Sequence, residues 1–184
     1  MQITGHVIRS RYTYVRKRGD EAYQKVLASL QGEARTLMEE GPLETNWYPY
    51  DVYIELSTVI DRVLGDGDLR LVYEMGAFSC ENNLTGIYRV FFRFGNINFL
   101  INRAAKAWHS QYDFGVMTVH RDPEDKYQVT LELTEVPRPD RVLFLAVKGW
   151  VVKAAELCGS ELLNVEDEFS EEPGAPMRWK FHYR

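Results

Sequence analysis

A chain of 184 residues is long enough for one domain with its own core, since domains usually take about 100–200 residues. Apolar residues make up 45% and charged residues 27%, an ordinary soluble composition that excludes disorder, collagen or a pure coiled coil for the whole chain. The net charge of −5 argues against a general nucleic-acid or anionic-membrane binder.

The first two-thirds carries helical periodicity. Ile8, Tyr12 and Val15 predict a short helix over 6–17 that Gly19 ends. Asp20 caps the next helix, in which Tyr23, Val26, Leu27, Leu30, Ala34 and Leu37 form one apolar stripe as far as Gly41-Pro42. A third begins near Pro49 and buries Val52, Tyr53, Leu56, Val59, Ile60, Val63 and Leu64. Gly65-Asp66-Gly67-Asp68 stops it and caps a shorter helix through Leu69, Val72, Met75 and Phe78. Residues 83–94 are apolar on several sides, as in a helix buried mid-fold, and Gly95-Asn96 ends them. Phe99, Leu100, Ala104, Ala105 and Trp108 predict one more helix, up to about Ser110.

At Asp113 the period falls to two. Phe114, Val116 and Thr118 alternate with Gly115, Met117 and Val119, and after the turn at 122–125 Tyr127, Val129, Leu131 and Leu133 alternate with polar residues, predicting a half-buried hairpin. A helix from about Asp140 presents Leu143, Val147, Trp150, Ala154 and Leu157 to the core and ends at Gly159. Two strands close the chain. Leu163, Val165 and Phe169 share one side; Met177, Trp179, Phe181 and Tyr183 oppose Arg178, Lys180 and His182. The order, N-terminal helices (about 1–112) and then a β-β-α-β-β antiparallel sheet unit (about 113–184), makes this a single α+β domain.

Charge is locally uneven. Arg9, Arg11, Arg16, Lys17 and Arg18 crowd one acid-free stretch, and Glu161, Glu166, Asp167, Glu168, Glu171 and Glu172 crowd a base-free one. They are either two solvated edges or two surfaces that meet, within the fold or across a dimer. Cys80 and Cys158 are far apart and belong to no Cys-x-x-Cys pair. The N-terminus lacks a signal-peptide layout, and the longest apolar run, 142–147, is far short of the roughly 20 residues that span a membrane. A reducing cytoplasm is therefore expected. Asn83-Leu84-Thr85 fits a glycosylation sequon, which matters only in a secretory pathway.

No catalytic motif emerges. His6, His109, His120 and His182 are scattered, with at most His120 and His182 neighbours on the sheet, so no metal site is expected. His120-Arg121-Asp122 copies three letters of a kinase loop without the glycine-rich loop or Asp-Phe-Gly that would give them meaning. A nucleophile elbow and a P-loop are absent. Cys80 reads as buried and inert, since nothing nearby in sequence lowers its pKa. Arg89, Arg93 and Arg103 on apolar helices must be paired or face a cavity. They either form salt bridges with Glu55, Asp61 or Glu74, or hold the acidic group of a ligand whose apolar body lies among Tyr53, Phe92, Phe99 and Trp108.

Gly5-His6-Val7-Ile8 through 19–27 resembles the opening helices of haem-NO/oxygen-binding (H-NOX) domains, which also end strand-strand-helix-strand-strand. The same ending occurs in 4-vinyl reductase domains and TRAPP vesicle-tethering subunits. The whole chain also resembles a bacterial family with many myxobacterial paralogues, through Trp47-Tyr48-Pro49, the run at 83–89, Trp108 with Tyr112-Asp113, and Lys148-Gly149-Trp150. The resemblance implies an H-NOX/4-vinyl-reductase-like fold and a ligand-binding or sensory role. H-NOX domains clamp the haem propionates with a Tyr-x-Ser-x-Arg run and ligate the iron with a helical histidine. The run is missing here and His109 is the only helical histidine after His6, so no haem and no other cofactor is expected. Where related sequences carry a cysteine near the last strand, this one has Pro176-Met177-Arg178-Trp179. In TRAPP-like relatives a cysteine carries an acyl chain, which keeps Cys80 among the candidate site residues.

The expectation is a non-enzymatic, small-molecule-binding sensory domain for an apolar ligand with an acidic group. It would act as a homodimer on a signalling partner protein, with no nucleic acid and no membrane span. The alternatives are an enzyme or accessory protein of tetrapyrrole metabolism, from the 4-vinyl reductase likeness, and a dimeric structural adaptor, as TRAPP subunits are.

Overall fold

The computed structural model describes residues 1–83 and 97–184. It runs β1 (Gln2–Thr4), α1 (Gly5–Lys17), α2 (Asp20–Ser29), α3 (Gly32–Glu40), β2 (Trp47–Pro49), α4 (Tyr50–Leu64), α5 (Arg70–Asn83), α6 (Ile97–Ala107), a 3₁₀ turn (Trp108–Ser110), β3 (Val116–Arg121), β4 (Gln128–Thr134), α7 (Arg141–Leu157), β5 (Leu162–Glu168) and β6 (Met177–Tyr183). The helix expected over 83–94 falls, beyond Asn83, outside the described residues. The class is the α+β one read from periodicity, and the two-stranded sheet of β1 and β2 within the helical part is an addition to that reading.

The main sheet is antiparallel with strand order β3-β4-β6-β5. Its inner face carries Val129, Leu131 and Leu133 beside Phe181, Trp179 and Met177, all buried. The helix α7 lies on this face. Its Phe144 ring stacks on Trp179 at 4.8 Å and meets Phe169 at 5.0 Å. The Asp140 carboxylate caps the helix by accepting from the Val142 N–H at 2.7 Å, and Gly159 follows its end in the left-handed region, φ +74°.

The opposite side of α7 packs on α5, and the two backbones come into contact. A Cβ on Gly76 would stand 2.1 Å from the Ala146 carbonyl oxygen, and one on Gly149 would stand 2.0 Å from that of Tyr73. No other residue fits at either position without separating the helices. Because α7 is buried on two sides, its core face is wider than the predicted stripe: Val142, Phe144, Ala146 and Val151 are buried as well, while Leu157 at the end is 39% exposed.

Several other expectations are corrected. The stripe over 20–37 belongs to two helices, because Leu30 and Gln31 are extended between α2 and α3. Leu30, Ala34 and Leu37 still face one core, so the spacing conceals the break. The helix α5 runs on past Phe78 to Asn83. Its start is secured by Asp68, which accepts from Arg70 N–H at 3.0 Å, and by buried Asp61, which accepts from Leu69 and Leu71 N–H at 2.9 and 3.0 Å. Phe114 precedes β3 instead of lying in it, since Gly115 turns the chain at φ +72°. In β5, Leu162 pairs with Tyr183 and Asn164 with His182, which leaves Leu163 as the extra residue of a bulge. Leu163 is 56% exposed, and Leu162 packs on the core in its place.

The charged stretches do not meet each other. Arg9 pairs with Glu44, Arg16 with Asp20 and Arg18 with Glu74. Glu161 pairs with Arg184, Glu166 with Lys180, Asp167 with Lys148 and Glu168 with Arg178. His120 and His182 take different acids, Glu132 and Glu166. Among the described residues no helix is long and apolar enough to cross a membrane.

Replacing Gly149 with Ala should cost about 1–3 kcal/mol through overpacking, read as a lower urea midpoint at unchanged slope. A second expectation concerns acid. The Arg178 guanidinium, 2.6 Å away, holds the Glu132 carboxyl below its ordinary value near 4.5. The folded carboxylate is thus favoured over the unfolded one. Its contribution is complete above that ordinary value and is lost as pH falls through the lower folded value. The Arg178→Met variant should lose about 0.5–1 kcal/mol at neutral pH, and its melting temperature should converge on the wild type's as pH falls through the lowered folded value.

Candidate functional site

The buried face of α1 is Val7, Ile8, Ser10, Arg11, Tyr14 and Val15. Arg11 stands in the middle of it and is only 2% exposed, which corrects its reading as part of a solvated basic edge. Its Nε donates to Ser57 Oγ at 3.3 Å, its Nη1 to Ser10 Oγ at 3.0 Å and its Nη2 to the Tyr53 hydroxyl. The guanidinium carbon also lies 4.6 Å from the Tyr53 ring centre. Tyr53 and Ser57 are one turn apart on α4, and that spacing places both on the side facing α1.

All three acceptors are neutral. Residues 84–96 contain no Asp or Glu, so every carboxylate side chain lies among the described residues, and none forms an ion pair with Arg11. An ion taken out of water costs several kcal/mol unless a counter-charge and hydrogen bonds compensate it. Here the hydrogen bonds are present and the counter-charge is not.

From Tyr53 a chain of rings leads away. Tyr53 stacks with Tyr50 at 6.1 Å, Tyr50 meets Phe114 edge-on at 5.0 Å, Phe114 meets Tyr112 at 5.7 Å, and Tyr112 stacks on Trp108 at 3.9 Å. The far end is fixed by backbone. Trp108 Nε1 donates to the Phe114 carbonyl at 2.8 Å. The first strand holds 111–113, with Thr4 N–H donating to the Gln111 carbonyl at 3.0 Å and Asp113 N–H to that of Gln2 at 3.2 Å. On its other edge β1 pairs with β2, Ile3 opposite Tyr48.

Burial pushes the phenols of Tyr50, Tyr53 and Tyr112 up, and the Arg11 charge only partly opposes this at Tyr53 and Tyr112. All three stay protonated and remain able to donate. The Tyr50 hydroxyl is buried and has no hydrogen-bond partner among the described residues.

Of the expected site residues, Tyr53 and Trp108 stand at the two ends of this chain of rings. Cys80 is elsewhere, fully buried on α5 within electrostatic reach of Cys158 and Lys153 near the end of α7, and burial raises its thiol well above the ordinary range. Arg103 is exposed on α6, and Phe99 belongs to the same helix. Arg89, Phe92 and Arg93 lie outside the described residues. Of the acids offered to these arginines, Asp61 caps α5 and Glu74 pairs with Arg18. Arg11 itself is the residue the sequence reading missed. The available signal was phase: Val7, Arg11 and Tyr14 fall at i, i+4 and i+7, inside the stripe flanked by Ile8 and Val15.

No family model matches the chain, and no curated protein does. Solved structures do. An Fe(II) unliganded H-NOX protein from K. algicida aligns over 99% of this chain and 97% of its own, at 11% identity and TM-score 0.72. An H-NOX protein from S. oneidensis in the Fe(II)NO state aligns over 99% of both chains, at 11% identity and TM-score 0.73. An oxygen-binding H-NOX domain related to soluble guanylate cyclases follows at 9% identity, 99% and 95% coverage and TM-score 0.72.

The fold is the H-NOX fold. At these identities the likeness is one of architecture.

The described side chains do not fit the haem that H-NOX domains carry. His6 is part-exposed at the start of α1, His109 and His120 are exposed, and His182 stands on the sheet beside Glu166. None is buried with the aromatic rings to offer an imidazole to iron. Burial holds Cys80 and the interior phenols protonated. Among the described residues no group of three or more His, Cys, Asp or Glu is placed to hold a metal ion.

Tyr53→Phe keeps the ring and removes the acceptor from Arg11. It should cost about 1–3 kcal/mol, measured by urea unfolding, because a buried cation loses one of its three partners.

Proposed function

We propose that this H-NOX-fold chain is a non-enzymatic, haem-free sensory domain that binds a small apolar molecule bearing an acidic group. The observation that carries the reading is the buried guanidinium of Arg11 at one end of a continuous run of aromatic rings. Such a polar point on an apolar path is the composition of a small-molecule site. The H-NOX fold supports the sensory part, since one solved structure of that fold is an oxygen-binding domain related to soluble guanylate cyclases. Within this reading Tyr53 and Trp108 contact the ligand body.

The path from ligand to surface is short. Trp108 and Tyr112 are tied through 111–113 to β1, and β1 is paired with β2, whose Trp47 is 42% exposed. A shift in ring packing reaches that surface through hydrogen-bonded backbone. The homodimer and its signalling partner belong to the same reading, with β1 and β2 as the output face.

Native mass spectrometry of the freshly purified protein tests this. An added mass of a few hundred daltons or less, lost on denaturation, is expected, on a dimer. A bare protein mass, with no change in tryptophan emission across a panel of apolar acids, refutes the binding reading. A porphyrin-sized mass refutes the haem-free one.

A further inference from the structure

We propose that Arg11 is a buried seat for a single carboxylate, and that the missing counter-charge of this fold is supplied by the ligand. The inference rests on the small-molecule reading above and moves the acid-binding role from Arg89, Arg93 and Arg103 to a residue of α1.

The cluster has a surplus of donors. A guanidinium has five N–H groups, and the bonds to Ser10, Ser57 and Tyr53 account for one each on Nε, Nη1 and Nη2. The Tyr50 hydroxyl is buried with nothing among the described residues to donate to. Its ring stacks with that of Tyr53 at 6.1 Å, which places this second unused donor one ring away from Arg11. What completes such a set is a group rich in acceptors and carrying negative charge. A carboxylate offers two oxygens with about four acceptor positions and pairs with guanidinium through parallel hydrogen bonds.

The charge is set as well. One guanidinium balances one negative charge. Asp140 acts on both Tyr50 and Tyr53 and raises both phenols, and the Arg138 guanidinium, 5.5 Å from the Tyr50 ring centre, opposes it at Tyr50. A dianion such as phosphate would carry one charge more than the Arg11 guanidinium supplies. The ligand is therefore a monoanion. Its body is apolar, because the groups leading away from Arg11 are Tyr50, Phe114, Tyr112 and Trp108.

The test compares acids with their neutral amides on the full chain. Octanoate and benzoate are titrated against octanamide and benzamide, with binding read by calorimetry and by the shift in melting temperature. The wild type should bind at least one of the acids ten-fold or more tightly than its amide. Arg11→Met, whose fold is checked by circular dichroism, should lose that preference and bind acid and amide alike. The wild-type comparison stands alone if the variant does not fold. Equal binding of acid and amide by the wild type overturns the Arg11 assignment and leaves the small-molecule reading intact. So does an acid preference that survives in Arg11→Met, or a retained native ligand without an acidic group. A wild type that binds no probe and retains no native mass overturns both.

Discussion

The backbone contact between α5 and α7 governs this structure. Gly76 lies on the Ala146 carbonyl and Gly149 on that of Tyr73, each closer than any side chain permits. The contact brings the helical half onto the helix that covers the sheet. It gives α7 two buried sides, with Phe144 on Trp179 of the sheet and Ala146 against α5. Ordinary ridge-and-groove contacts range over about 2 Å in interaxial distance and about 15–20° in crossing angle. Two glycines on opposite helices remove that range.

The other half of the interior is less settled energetically. Arg11 is surrounded by hydroxyls and one aromatic face, which solvate a cation without neutralising it. Hydroxyls suit this task because they accept a hydrogen bond and still have a proton to give. The cost of holding the charge there falls on folding, and the fold tolerates it because α1 and α4 bury a large apolar surface on either side. A cation held at such a cost, one ring away from a buried donor without a partner among the described residues, is what the proposed ligand would compensate.

The outer face of the sheet shows the contrasting case. Arg178 spans Glu132 and Glu168, and Lys180 with His182 faces Glu166. These charges remain in partial contact with water and meet opposite charges across neighbouring strands, so each pair contributes little and costs little. The uneven charge along the sequence is thereby balanced over short distances. Acid-rich β5 lies beside β6, whose outward residues are Arg178, Lys180 and His182.

Much of the architecture was legible in the sequence because periodicity reports which side of an element is dry. Helices at α1 and α4, the hairpin of β3 and β4, the inward row of β6 and the turn at Gly159 all follow from local spacing, and with them the α+β class. Where local pattern misled, a distant contact was responsible. The break at Leu30 is invisible because both fragments face one core, and Leu163 turns outward because the pairing with β6 slips by one residue. The site divides in the same way. Tyr53 and Trp108 could be picked out as aromatics at helical spacing, but only the tertiary fold links them, through Tyr50, Phe114 and Tyr112. Arg11 looked like one of five neighbouring cations on an edge. Whether an arginine on a mixed stripe meets water, a carboxylate or three hydroxyls depends on what α4 brings to it, 42 and 46 residues further along the chain. Sequence alone determines the faces of the elements, and tertiary structure decides which faces meet, because hydrophobic spacing is a property of one segment and charge compensation is a property of two.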